Sequence, residues 1–259
     1  MSQIKFGCHG FNWGNKEKGT YDLERIAREI RSAGFEGLDG VGAHSPSELV
    51  AASMILAKEG LKVISVGGRD TRRTLELTVA AGINFVSEFS PWLGSDPTPG
   101  VPTRQQLEAY CEDAERRATW MAQYGVSLAL HPHLNAWVET EDQLDFVMSH
   151  SRHLGLMLET GHQGAANHDI LGVIRKYGKR ITHVHLKDRQ QDMSKPHNIR
   201  AGVFCELGKG NKKIPFKAIL KALEKLGYSG WCAVEQDDIS GKVVDSMKIS
   251  RRYLKSIGY

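Results

Sequence analysis

Cysteine is scarce in this chain and poorly placed for either of its structural uses. Only Cys8, Cys111, Cys205 and Cys232 occur, with no Cys-x-x-Cys pair among them, which argues against a disulfide framework and against a zinc-thiolate site. Free thiols are expected. Long apolar runs are also missing. None approaches the roughly 18 residues that span a bilayer, and the opening MSQIKFGCHG has no charged-then-apolar leader pattern, so a cytoplasmic protein with no membrane partner is expected. Charge of one sign is not concentrated either. The formal net charge is +4 without a Lys/Arg tract or an aromatic-basic stripe, so composition does not ask for nucleic acid and mildly favours anionic small molecules. No Gly-x-Gly-x-x-Gly follows the first apolar run, which removes the usual dinucleotide reading, and GKGNKK at 208–213 lacks P-loop spacing and reads as a loop.

What is present is a regular alternation. With 41% hydrophobic and 25% charged residues in 259, the chain can bury a sizeable core. Short apolar runs lie near 4–8, 36–41, 62–67, 83–89, 127–133, 153–160, 181–187 and 231–236. Between them are amphipathic stretches such as YDLERIAREIRSAG and PFKAILKALEKLG, several closing on glycine. Strands alternating with helices imply a parallel sheet. Eight such units in roughly 250 residues imply an α/β fold closed as a (β/α)8 TIM barrel, a single domain over residues 1–259. The connection 188–213 is too long for a plain turn and is expected to hang over the barrel mouth.

Barrel chemistry sits at the C-terminal ends of the strands. There the fifth strand ends in His131-Pro132-His133, the sixth in Glu159 with His162 close behind, and the eighth in Glu235 and Asp237. The seventh, ITHVHLKD, carries His183, His185 and Lys187 at every second position, so all three share one face while Val184 and Leu186 share the other. The two histidines alone are equally compatible with barrel-interior residues hydrogen-bonded to their neighbours. Glu159 is less easily explained that way, because a carboxylate closing the apolar run LGLML needs a partner. Imidazoles and carboxylates converging from four consecutive strands suit Mn, Zn, Co or Fe better than Ca.

These residues resemble the xylose-isomerase-like barrels of sugar isomerases and epimerases, and within them the inosose (2-keto-myo-inositol) dehydratase branch. The matching pieces are LALHPH followed by VET, MLETGH, HVHLKD, LGKG before PFKAILKALEKLGYSGW, and VEQD, specific over about 125–238. The resemblance implies one divalent metal, Mn first, with Zn, Co, Mg or Fe as other candidates, held by His131, Glu159, His185 and Glu235. Two positions depart from the pattern: His131 stands where many epimerases keep a glutamate, and Glu159 where aspartate is commoner.

A metal chelated by a ketone and a neighbouring hydroxyl acidifies the C–H between them. Reprotonation then gives isomerisation or epimerisation, and loss of a β-hydroxyl gives dehydration. With the fifth-strand glutamate absent, a dehydratase acting on a keto-sugar or keto-inositol is the first expectation, with a sugar or sugar-phosphate isomerase/epimerase as the alternative. Catalysis falls to Glu159, Glu235, His162, Lys187 and His133. Substrate binding falls to His133, His162, Lys187, His9 and Trp13, with Asn12, Glu88 and Trp92 as further pocket candidates. Lys187 is equally readable as a structural salt-bridge partner of Asp188 or a neighbour, and Glu139 as a structural residue ahead of a helix capped by Thr140. His185 should face the metal, with His183 deeper and Lys187 nearer the mouth. An apurinic/apyrimidinic endonuclease is a remote rival, since the third strand closes on VGGRD and the fourth on SEFSPW without the needed histidines. A non-catalytic sugar-binding barrel would not need so many titratable groups. The partner is a small carbohydrate or cyclitol, with a homo-oligomer possible.

Overall fold

Period-2 side-chain alternation, which the seventh strand shows most openly, governs the whole sheet. The computed structural model describes residues 4–14, 21–67, 71–93 and 101–259. The strands are β1 (Lys5–His9), β2 (Gly37–Asp39), β3 (Lys62–Val63), β4 (Phe85–Phe89), β5 (Ser127–His131), β6 (Gly155–Glu159), β7 (Ile181–Leu186) and β8 (Trp231–Val234). They form one parallel sheet in the order β3-β2-β1-β8-β7-β6-β5-β4. Among the described residues no ladder joins β3 to β4, so the wall is hydrogen-bonded everywhere except at that seam. The Gly-Arg-Asp end of VGGRD and the first three residues lie outside the described residues.

Alternate residues of each strand join one of two cores. Phe6, Cys8, Leu38, Leu128, Leu130, Leu156, Leu158, Val184, Leu186, Cys232 and Val234 pack with the helices. Ile64, Phe85, Ala129 and Met157 form a separate cluster inside the barrel. One position further along the inner face, the strands close on His9, Asp39, His131, Glu159 and His185, and Glu235 follows β8. The sheet therefore separates an apolar plug below from a polar floor above.

The helices form where capping chemistry meets a 3.6-residue apolar stripe. Leu23–Ala33 starts at Asp22, whose carboxylate accepts from Arg25 N–H, and stops at Gly34 in the left-handed region (φ 88°). Its Ile26, Ala27, Ile30 and Ala33 are buried. Truncating Ile30 to Ala would cost about 2–5 kcal/mol. Arg104–Ala122 opens with a Thr103/Gln106 capping box, and Thr140 caps Glu141–His150 as expected. No described helix is long and apolar enough to cross a membrane, and all four cysteines are free.

The connection 188–213 is more ordered than its length suggests. Asp188–Gln191 pairs antiparallel with Gly202–Cys205, and the Arg200 guanidinium reaches Glu139 at 2.9 and 2.6 Å. This ribbon lays Phe204 against His162, with ring centroids 4.8 Å apart, and beneath the Lys187 ammonium.

Candidate active site

The floor is organised around His185. Its Nε2 lies 2.8 Å from Asp39 Oδ2, while Nδ1 lies 3.1 Å from Glu159 Oε2 and 2.8 Å from Glu235 Oε2. Glu159 Oε2 is also 3.2 Å from His131 Nε2. His183 sits one step deeper, stacked on Phe85 with ring centroids 4.6 Å apart, its Nε2 also 2.8 Å from Asp39 Oδ2. The donor atoms of His131, Glu159 and His185 all lie within 4.8 Å of one another, as do those of His9, Asp39 and His185.

Four observations fit a divalent cation on the Nδ1 side of His185. Donors bound at about 2.1 Å to one ion sit about 3 Å apart, which matches the His131–Glu159, His185–Glu159 and His185–Glu235 spacings. One N–H cannot serve two carboxylates, and Glu235 Oε2 has no directed hydrogen bond despite its close neighbours. The set mixes imidazole with carboxylate. Finally, the Nε2–H of His185 donates to Asp39, which turns Nδ1 toward the other ligands.

Charge inside this shell is tightly balanced. Burial alone would raise the Glu159 carboxyl, but the Lys187 charge and hydrogen bonds from His131 and His185 hold it well below the usual range. Asp39, raised by burial, is likewise brought well below its ordinary value by the charge and hydrogen bond of His183 and by His185. For Glu235 the burial penalty is outweighed by Lys187, His9 and His185. Burial opposes charge on His185, yet Glu235 and hydrogen bonds to Asp39 and Glu159 push its pKa well above normal.

Lys187 closes the ring of charges. It is 1% exposed, with Nζ 3.1 Å from Glu235 Oε2, 3.1 and 3.2 Å from the Asp237 carboxylate oxygens and 3.2 Å from His162 Nε2. Burial works against its charge, but Glu235, Glu159 and Asp237 more than compensate and raise its pKa. Asp188 is not its partner: that carboxylate takes the N–H groups of Arg189, Gly208 and Gly210. Gly161 makes room for the lysine stem, since a Cβ there would meet Lys187 Cγ at 2.6 Å.

Two histidines stand beside this cluster. His133 faces the cavity above β5, and its Nδ1–H donates to the Leu134 carbonyl at 2.6 Å, leaving Nε2 with the lone pair. Burial, then the nearby His131, lowers its pKa to about 4. His162 stacks on it at 3.5 Å, and burial followed by the Lys187 charge holds it well below its normal value. Both imidazoles are neutral at pH 7.

A family model described as xylose isomerase-like TIM barrel matches residues 5–257. The chain belongs to this family. Among curated relatives, the inosose dehydratase of Clostridium beijerinckii is 31% identical over 96% of this chain and 85% of its own length. The rhizopine catabolism protein MocC of Rhizobium meliloti is 28% identical over 92% and 82%. The solved structure of an L-ribulose 3-epimerase superposes with a TM-score of 0.73 at 22% identity, covering 98% of this chain and 94% of that one.

On this family scaffold, the structure brings His131, Glu159 and His185 together, sets Glu235 against His185 Nδ1, and places His133, His162, Lys187 and His9 around them. His9 Nδ1 is 3.6 Å from Glu235 Oε1. Three pocket expectations are corrected. Trp13 is buried with its indole N–H donating to Glu29 at 2.6 Å, because the short helix Phe11–Gly14 turns it toward the helical layer. Asn12 spans Val234 O and Gln236 N, fastening the end of β8. Glu88 points outward on β4 to a bidentate pair with Arg117. Asp39 was not picked out by the sequence pattern. It closes the three-residue β2, and the only signal was its place after Gly37-Leu38.

Proposed function

We propose that this protein is a divalent-metal-dependent lyase that removes water from a keto-cyclitol or keto-sugar, of inosose dehydratase type. The observation that carries the reading is the convergence of His131, Glu159 and His185, their donor atoms within 4.8 Å of one another, beside a cavity of about 620 Å³, with Glu235 2.8 Å from His185 Nδ1 and the buried Lys187 ammonium anchored alongside by Glu235. The relatives named inosose dehydratase support it. A bound divalent cation would supply Lewis acidity at the substrate carbonyl and so acidify the neighbouring C–H.

The chain's own groups then divide the proton work. His133, neutral and with a free Nε2, is placed to take the proton next to the carbonyl. The electron pair left on that carbon forms the new C=C bond as the β-hydroxyl departs. Lys187, charged and in contact with His162, donates the proton that lets the hydroxyl leave as water. Asp237, whose pKa burial raises to about 6, holds Lys187 in place. The ribbon carrying Phe204 shields this exchange from solvent.

Turnover of 2-keto-myo-inositol with added Mn in deuterated water, followed by NMR and ultraviolet absorbance, tests the reading. The expected product is an enone or its diketone tautomer, lighter by one water. Deuterium at an inverted carbon without water loss would instead make the protein an epimerase. A product with neither change would rule out enolisation.

A further inference from the structure

The cavity above the floor continues sideways into an aromatic ledge that the chemistry just described does not use. Phe89, Trp92 and Phe11 line it and are 44%, 53% and 41% exposed. Large aromatics this open are costly to leave in water. The ledge starts at the reacting centre: the Phe89 ring lies 4.5 Å from that of His131, and the Trp92 indole 4.7 Å from His133. Phe89 and Trp92 are then stacked at 5.7 Å with 27° between their planes, so the two rings form one aromatic stack beside the floor histidines.

The backbone beneath this stack is fixed. Trp92 forms a bridge with Ala136, Leu93 N–H donates to Asn135 O and Trp137 N–H to Pro91 O, both at 2.8 Å, and Val138 N–H is held by Ser90 Oγ. An exposed indole on an ordered backbone is preorganised to bind, because little order remains to be imposed. At about 620 Å³ the cavity falls within the range of about 300–1,000 Å³ typical of pockets for drug-sized ligands, larger than a single six-membered ring requires.

We propose that Phe89 and Trp92 form a second-ring subsite, and that the substrate is a keto-sugar or keto-cyclitol carrying a flat-faced ring as a glycosidic or ether substituent. This rests on the ketone reading of the floor and adds what lies beyond it. The ketone ring sits over His131, Glu159, His185 and Glu235, and the second ring stacks on the ledge.

The test compares the 5-O-phenyl and 5-O-methyl ethers of 2-keto-myo-inositol, which keep the β-hydroxyls at C4 and C6 that the elimination needs, on the Mn-loaded protein, by calorimetric binding and by turnover. The phenyl compound is expected to bind about threefold to tenfold more tightly. Trp92→Ala should abolish that ratio and Trp92→Phe should restore it. Equal binding of the two ethers, no binding of either, or an unchanged ratio in Trp92→Ala overturns the proposal. A Trp92 fluorescence change that follows protein concentration rather than ether concentration also overturns it, by making the ledge a contact between copies. The two readings fail separately. Turnover of keto-inositol without a phenyl preference removes the ledge alone, whereas a phenyl preference with no ketone converted removes the lyase and leaves the ledge.

Discussion

Asp39 illustrates how one carboxylate can decide what a histidine does. Its Oδ2 accepts from both His183 and His185, and its other oxygen is bonded to Ser65, whose Oγ also receives the Gly40 N–H. Asp39 thereby sets the His185 tautomer, leaving Nδ1 for a cation. Replacing Asp39 with Asn offers an amide that can turn its NH₂ toward His185 and reverse the tautomer, so Mn affinity, read by competition titration, should fall about 10- to 100-fold. An unchanged affinity would mean that the tautomer is fixed elsewhere. His183 and His185 were legible in the sequence because period 2 puts them on one face. Asp39 was not, because its contacts depend on a register that joins residues 144 and 146 positions apart. Gly161 makes a second test at this scale. The Lys187 stem passes where its Cβ would be, while Glu235 and Asp237 pin the ammonium. Gly161→Ala should therefore cost about 1–3 kcal/mol in urea denaturation and, on the proposed role of Lys187 as proton donor, depress kcat more than KM.

At the scale of elements, the 188–205 ribbon and the loop after β5 act together. Length alone marked the ribbon as an excursion over the mouth, but its antiparallel pairing was hidden because neither strand shows an apolar alternation. What fastens it is the Arg200–Glu139 pair, with Glu139 only 8% exposed. Glu139 looked structural in the sequence, yet the partner that gives it this role lies 61 residues away. Arg200→Ala should destabilise the fold by about 1–3 kcal/mol, toward the lower end because the guanidinium is partly solvated. It should also open the ribbon to limited proteolysis between residues 189 and 201. An unchanged cleavage pattern would show that the backbone pairing suffices. The same loop supplies a pH-dependent contact: His168 Nε2–H donates to the Glu139 carbonyl at 2.9 Å. Burial lowers the His168 pKa, only partly opposed by that bond and by nearby acids. The unfolded chain therefore binds the proton at higher pH than the folded one, so this contribution is complete above about pH 6.5 and is lost as pH falls through the folded value. The stability advantage of wild type over His168→Gln should narrow between pH 7.5 and 5.5 in paired denaturation curves. A constant gap would remove His168 from the pH dependence.

At the scale of the molecule, the barrel was legible because alternation of strands and helices needs only local pattern, whereas the seam between β3 and β4 depends on where closure leaves a gap. The polar floor has a charge balance that connects fold to cofactor. Asp39, Glu159 and Glu235 contribute three buried negative charges. Against them stand Lys187 and, in the metal-free protein, a protonated His185, which leaves one negative charge uncompensated; Asp237 at the rim adds to the excess. Exchanging that proton for a divalent cation adds one positive charge and balances the three floor carboxylates against Lys187 and the ion, leaving only Asp237 at the rim. Unpaired buried charge is expensive, so the metal-free fold should be the less stable one. With Mn at about 1,000 times its dissociation constant, binding linkage is worth about 4 kcal/mol. For a chain of this size that is a rise of about 10 °C in Tm, readable by scanning calorimetry before and after chelation. The Glu159→Gln, His185→Ala double variant removes one carboxylate and the shared imidazole, and its Tm should not respond to Mn. A wild-type Tm indifferent to Mn, Zn, Co, Mg and Fe alike would mean that the His185 proton, not a metal, completes the floor.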